Sequence, residues 1–275
     1  MNTKLTLRTI PKAILLACIS ALLAPCAVHA TTINLNDPNL SPAPTDPGTI
    51  NGAIFTTNFQ QPAGTGVIDP FLTIQNNPTE QGYNGTNGNF DTKRVPQWNH
   101  PLTLGDLGQV TLNGSMYYEF VVDVNEPNHD SKSPISLNML SVWTSATAQN
   151  STSVGTNGLF NGSLGTLRYE MSPTLGVNQV LYNDGNSGSG QADIAIYIPV
   201  SFFAGASATD NLYMYQAWGN TLNSQGGYEE TYAVLGSTPL TTVPETSTVL
   251  PLAAILGLVF AGPCMRRRNR VTVTA

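Results

Sequence analysis

Met116-Tyr117-Tyr118-Glu119-Phe120-Val121-Val122-Asp123-Val124-Asn125 is the stretch on which the reading of the fold turns. Tyr118, Phe120, Val122 and Val124 recur at every second position. A period of two, carried by bulky or β-branched side chains, marks a half-buried antiparallel strand. Ile194, Ile196 and Ile198 repeat the pattern farther along. Working outward, short β-rich runs divided by Gly, Asn, Pro and Ser predict strands at Thr49–Asn58, Phe71–Gln75, Gly108–Leu112 and Ile135–Thr144. Others are predicted at Gly165–Met171, Gln179–Tyr182, Asp193–Val200, Leu212–Gly219 and Tyr228–Leu235. Between the two ends no run keeps a helical period, and no internal repeat suggests a solenoid or propeller. The expectation is an all-β fold: an antiparallel two-sheet sandwich, jelly-roll-like, over residues 49–240. Residues 31–48, rich in Pro and Asn, read as a flexible lead-in.

Composition supports that class. Of 275 residues only 10% are charged, while Gly numbers 25 and Pro 19; a soluble domain carries about 25% charged residues. Material for amphipathic helix surfaces is therefore scarce. The net charge of −6 hides a segregation. Lys4, Arg8 and Lys12 lie at the start and Arg266, Arg267, Arg268 and Arg270 at the end, which leaves Lys93, Arg94, Lys132 and Arg168 between them. Those 4 face 16 of the 17 acidic residues, so the central part nets −12. A surface of that sign repels nucleic acid and attracts cations.

Each end carries its own signal. Residues 1–30 run from a basic start through the apolar stretch Ala13–Val28 to Val28-His29-Ala30, the three-part form of a secretory signal peptide cut between Ala30 and Thr31. Signal peptidase and the Sec export machinery are the implied partners. Cys18 and Cys26 belong to this segment and Cys264 to the tail, so the mature body has no cysteine and no thiol chemistry. The C-terminal end reads Val243-Pro244-Glu245-Thr246-Ser247-Thr248, then the apolar run Val249–Met265, then Arg266-Arg267-Arg268-Asn269-Arg270. Those 17 apolar residues would extend ~26 Å as a helix, the short end of a bilayer crossing. The arginines resist translocation and would hold the tail's end in the cytoplasm. An N-terminal signal helix and a C-terminal transmembrane helix thus flank the expected sandwich.

This tail, residues 243–270, resembles the PEP-CTERM sorting signal, substrate of the membrane transpeptidases called exosortases. Val243, Pro244, Glu245, Arg266, Arg267 and Arg268 carry the resemblance; Thr246 stands where the family's usual second proline would be. The resemblance implies transient anchoring in the inner membrane, cleavage near Pro244-Glu245, and release or attachment at the cell surface. It also implies a role beside exopolysaccharide in biofilm or floc.

A second resemblance covers most of the body. Thr65-Gly66-Val67-Ile68-Asp69-Pro70-Phe71, Asp123-Val124-Asn125-Glu126, Ile135-Ser136-Leu137-Asn138, Gly188-Ser189-Gly190-Gln191-Ala192-Asp193 and Gly227-Tyr228-Glu229-Glu230 look like a group of exported β-rich proteins carrying the same tail. It implies one continuous domain and supplies no activity.

Catalytic signatures are sparse. Only His100 and His129 survive signal cleavage, with no GxSxG elbow beside them. A glycosidase needs only two carboxyl groups ~5–10 Å apart, and Glu119, Asp123, Glu170, Asp193, Glu229 and Glu230 lie on or beside strands. Trp98, Trp143 and Trp218 could stack a sugar, although aromatic side chains more often fill cores. Binding ranks above hydrolysis, so the expectation is a non-enzymatic surface or matrix protein, with a carbohydrate-active enzyme or an unprocessed membrane-tethered glycan-binding domain as the alternatives. No organic cofactor is expected. Calcium is the ion that suits the excess of hard oxygen donors, and Asp123, Asn125, Glu126, Asp184 and Asp193 are the candidate ligands. Pro127 at the fifth position and no Gly at the sixth exclude an EF-hand.

Overall fold

The structure, a computed structural model, describes residues 30–60, 70–86, 88–127, 134–184 and 192–235. The signal segment before Ala30 and the whole sorting tail lie outside the described residues. Among the described residues fourteen strands follow in chain order. They are β1 (Thr31–Asn34), β2 (Gly48–Ile50), β3 (Ala53–Thr56), β4 (Leu72–Ile74), β5 (Glu80–Tyr83), β6 (Leu102–Thr103) and β7 (Gln109–Leu112). The rest are β8 (Ser115–Val124), β9 (Pro134–Ser145), β10 (Thr166–Glu170), β11 (Asn178–Asn183), β12 (Ile194–Pro199), β13 (Asn211–Trp218) and β14 (Glu229–Ala233).

They form two sheets of 7 strands each. One runs β1-β11-β9-β13-β5, with β10 on β9 and β6 on β13; the other runs β2-β3-β12-β8-β14-β4, with β7 on β8. Among the described residues, only β1 and β11 pair in parallel. From β11 onward each successive strand lies in the opposite sheet, so the chain repeatedly crosses the core rather than folding back beside itself.

One buried cluster joins the sheets. Phe120, Val122 and Val124 of β8 and Ile194, Ile196 and Ile198 of β12 meet Ile135, Leu137 and Val142 of β9 and Met214 and Trp218 of β13. The alternation in the sequence thus identifies the inward face of the two most regular strands. A polar bridge crosses this core. Trp218 Nε1 donates to Gln216 Oε1 at 2.9 Å, and Gln216 Nε2 donates to Thr231 Oγ1 of the facing sheet at 2.9 Å. Both Gln216 and Thr231 are fully buried.

Two features go beyond the half-buried expectation. The outer face of the first sheet is covered too: Leu159, Phe160 and Leu164, between β9 and β10, pack on Tyr83, Tyr213 and Tyr215. On the second sheet, Val121, Ala195, Tyr197 and Tyr232 form an outward-facing buried cluster. Strand boundaries differ as well. The predicted run Thr49–Asn58 is a hairpin, because Asn51 and Gly52 take φ of +49° and +88°, the left-handed pair that a tight two-residue turn requires. Residues 31–48 are not merely a lead-in. Thr31 to Asn34 pair with β11, and Asn34 Nδ2 donates to the Asp37 and Pro42 carbonyls at 2.7 Å each.

Candidate carboxylate centre

The sandwich brings three glutamates together at one end of the core. Glu80 opens β5 opposite Trp218, Glu229 opens β14 opposite Val124 and Ile74, and Glu126 lies two residues past β8. A carboxylate oxygen from each lies within 4.8 Å of the others. All three are buried: Glu80 is 2% exposed, Glu126 4% and Glu229 0%.

Three chain segments hold them in place. Asn76 N donates to Glu80 Oε2 at 2.9 Å, and Gln225 N donates to both oxygens of Glu126 at 3.1 and 2.8 Å. Ser224 ties the segments together, its N–H donating to the Pro78 carbonyl at 2.9 Å and its hydroxyl to the Asn76 carbonyl at 3.0 Å. A Cβ on Gly227 would run into the Asn125 carbonyl and the Glu126 nitrogen, so glycine permits the close approach of the loop before β14 to the end of β8. No N–H or hydroxyl donates to Glu80 Oε1 or to either oxygen of Glu229; the two carboxyls lie within hydrogen-bond reach of each other, a contact that needs a proton on one of them.

The electrostatics follow from that geometry. Burial pushes the Glu80 carboxyl up to about 7, against a partial lowering by its hydrogen bonds. Burial, reinforced by the neighbouring Glu80 and Glu126 charges, raises Glu229 well above the usual carboxylate range. Burial raises Glu126 as well, opposed by the Gln225 N–H. Among the described residues no cationic side chain offsets them. Three like charges in a desolvated space cannot all persist unaided. The trio must share protons or hold a cation.

The predicted site residues are distributed otherwise. Asp123, Asp184 and Asp193 lie near Tyr182, whose hydroxyl donates to Asp193 Oδ1 at 2.8 Å and whose ionisation is opposed first by burial and then by their charges. Asp193 Oδ2 also accepts the Val124 N–H at 2.7 Å. Glu126 belongs to the separate glutamate trio, and Asn125 donates through Nδ2 to the Tyr228 carbonyl at 3.0 Å. Of the five proposed cation ligands, three therefore lie near Tyr182, Glu126 joins the glutamate trio and Asn125 joins neither group. Residues 185–191 of the Gly-rich loop lie outside the described residues. Ala30 is exposed and Thr31 opens β1, while Val243, Pro244, Glu245, Arg266, Arg267 and Arg268 lie outside the described residues.

Of the carboxyl groups considered for glycoside hydrolysis, Asp123 stands opposite Glu230 on the outer face, and Glu119 accepts the Tyr197 hydroxyl at 3.0 Å. Trp218 is a core residue, Trp143 is half-buried with Nε1 donating to Ser141 Oγ at 2.9 Å, and Trp98 lies beneath the Lys93 ammonium. His100 Nδ1 contacts the Pro96 carbonyl at 3.1 Å, and His129 lies outside the described residues. A cleft of about 230 Å³ is lined by Tyr83, Gly85, Thr86, Gly88, Asn89, Ala148, Gln149 and Asn150; a second, about 380 Å³, lies between Leu104, Tyr118 and Phe203. Among the described residues no carboxylate lines either cleft.

Sequence reasoning missed Glu80 altogether and placed Glu229 only among acids for hydrolysis. Alternation pointed the other way: in Tyr228-Glu229-Glu230-Thr231-Tyr232-Ala233 the large aromatic residues share the phase of Glu230, whereas the structure turns Glu229, with Thr231, to the core. No protein-family model, curated protein or solved structure matches the chain.

Proposed function

We propose that the chain is an exported, non-enzymatic surface or matrix protein. A signal peptide cut after Ala30 sends it through the Sec pathway, and the transmembrane helix 249–265 stalls it in the inner membrane, its Arg266, Arg267 and Arg268 on the cytoplasmic side. An exosortase-type transpeptidase then cuts near Val243-Pro244-Glu245. The sandwich, jelly-roll-like in its repeated crossing between sheets, acts at the cell surface or beyond it as a structural or adhesive component of an exopolysaccharide matrix.

The observation that carries the non-enzymatic part is the burial of the glutamate trio. Its carboxyl groups are close enough to cooperate, but at 0–4% exposure they offer no approach to a polysaccharide chain. A glycosidase needs its pair open to the sugar on both faces. The cleft around Tyr83, Asn89, Gln149 and Asn150, with no carboxylate among its described lining residues, is the place suited to holding a sugar rather than cutting one.

The test has two parts. Mass analysis of the C-terminal peptide in cell fractions should find surface or released protein ending near Val243-Pro244; a mature form intact through Ala275 contradicts sorting. Glycan-array binding followed by a hydrolysis assay on each hit should show retention without cleavage, and product formation contradicts the non-enzymatic reading.

A further inference from the structure

We propose that Glu80, Glu126 and Glu229 together bind one calcium ion, which clamps the two sheets at this end of the sandwich. The ligands come from β5 in one sheet, β14 in the other, and the segment just past β8. An ion held by all three would cross-link segments that the Ser224 and Gln225 hydrogen bonds already bring together. This site goes beyond the proposed export and matrix role and stands whether or not the tail is processed.

Two independent observations support it. The first is spacing: oxygens bound to one calcium at about 2.4 Å lie no more than about 4.8 Å apart, and the three glutamates offer one oxygen each within 4.8 Å. The second is the unmet demand of the oxygens. Glu229 is wholly buried, and no N–H or hydroxyl donates in hydrogen-bond geometry to either of its oxygens or to Glu80 Oε1; these oxygens face one another, so without an ion they can pair only by sharing a proton. The remaining oxygens are already engaged by the Asn76 and Gln225 N–H groups, which fix the orientation of the first two ligands as outer-shell partners do in metal sites.

The donor set chooses the ion. Oxygen-only ligation disfavours zinc and copper, which prefer imidazole or thiolate. Magnesium keeps several waters in a tight octahedron and uses one or two carboxylates, whereas calcium accepts several carboxylates in flexible geometry. Three carboxylates at a buried position fit calcium. Bound calcium would leave one net negative charge in place of three.

The test uses the full chain, stripped with EDTA and then titrated with CaCl2 alone. Excess calcium at about 100 times Kd should raise Tm by about 5–11 °C, and magnesium at equal concentration by less than half of that. Glu229→Gln removes a buried charge without changing shape, so it should fold in EDTA and show no calcium shift; Glu80→Gln is the second variant. Glu119→Gln, a buried acid on the other face of the sheet, should keep the shift. An unmoved Tm in the unaltered chain overturns the site, as does a full shift in both trio variants or its loss in the Glu119 control. None of these results depends on tail cleavage or glycan binding.

Discussion

Gln216→Leu tests whether the two sheets share a hydrogen-bonded bridge through the core. The side chain is fully buried, accepts the Trp218 indole N–H at 2.9 Å and donates to Thr231 Oγ1 at 2.9 Å. Leucine fills similar space but leaves the indole N–H without an acceptor. An orphaned buried donor costs about 1–3 kcal/mol. For a domain of this size each kcal/mol moves Tm by about 2–4 °C, so the expected loss is about 2–12 °C. The loss alone would not distinguish a lost hydrogen bond from poor packing, so the assay is a double-mutant cycle with Trp218→Phe, followed by circular dichroism in urea. In the Gln216→Leu background the indole N–H is already a liability. Removing it should therefore cost about 1–2 kcal/mol less than in the unaltered chain. Additivity within about 0.5 kcal/mol would refute the Trp218–Gln216 half of the bridge, and additivity in the same cycle run with Thr231→Val would refute the half that crosses to the facing sheet.

Two further perturbations probe other parts of the molecule. Burial raises the Glu119 carboxyl above its usual value of 4.5, with the Tyr197 hydroxyl opposing; Tyr117 and Asp123 on β8, Tyr197 on β12, and Glu230 and Tyr232 on β14 are the ionisable groups sharing its face. The unfolded chain then ionises first as pH rises past 4.5, so stability falls as pH rises from there through the folded value and stays lowered above it. Glu119→Gln should flatten that part of the stability–pH curve, and identical curves for the two proteins would contradict the burial argument. Gly227→Ala forces a methyl group against the Asn125 carbonyl; it should cost about 1–3 kcal/mol in thermal melts and weaken the calcium response by displacing Glu126. A change within about 0.5 kcal/mol would show that the loop and the end of β8 do not approach so closely.

The sequence was most legible where its pattern was redundant. In β8 and β12 every second residue is bulky and apolar, so the inward face followed directly from Tyr118–Val124 and Ile194–Ile198. The strands that escaped notice lack such a pattern. Glu80-Gln81-Gly82-Tyr83 has one large apolar residue, and its place as β5 depends on pairing with Tyr215–Trp218, far along the chain. Thr31–Asn34 forms β1 through a partner 147 residues away. The Asn51-Gly52 turn was a readable signal, passed over because the flanking runs looked continuous. The glutamate trio was hardest, since Glu80, Glu126 and Glu229 share no spacing rule and meet only when the sheets pack. Asp123-Val124-Asn125-Glu126 starts like a calcium loop, but it runs off the end of β8 and its members go to different places.

Crystals of the chain grown with millimolar CaCl2, measured at a wavelength where calcium scatters anomalously, test the cation clamp most directly. A single anomalous peak with oxygens of Glu80, Glu126 and Glu229 at about 2.3–2.6 Å is the predicted result. Density showing no ion, with Glu80 and Glu229 instead joined by a shared proton in a short carboxyl–carboxylate contact, would contradict it.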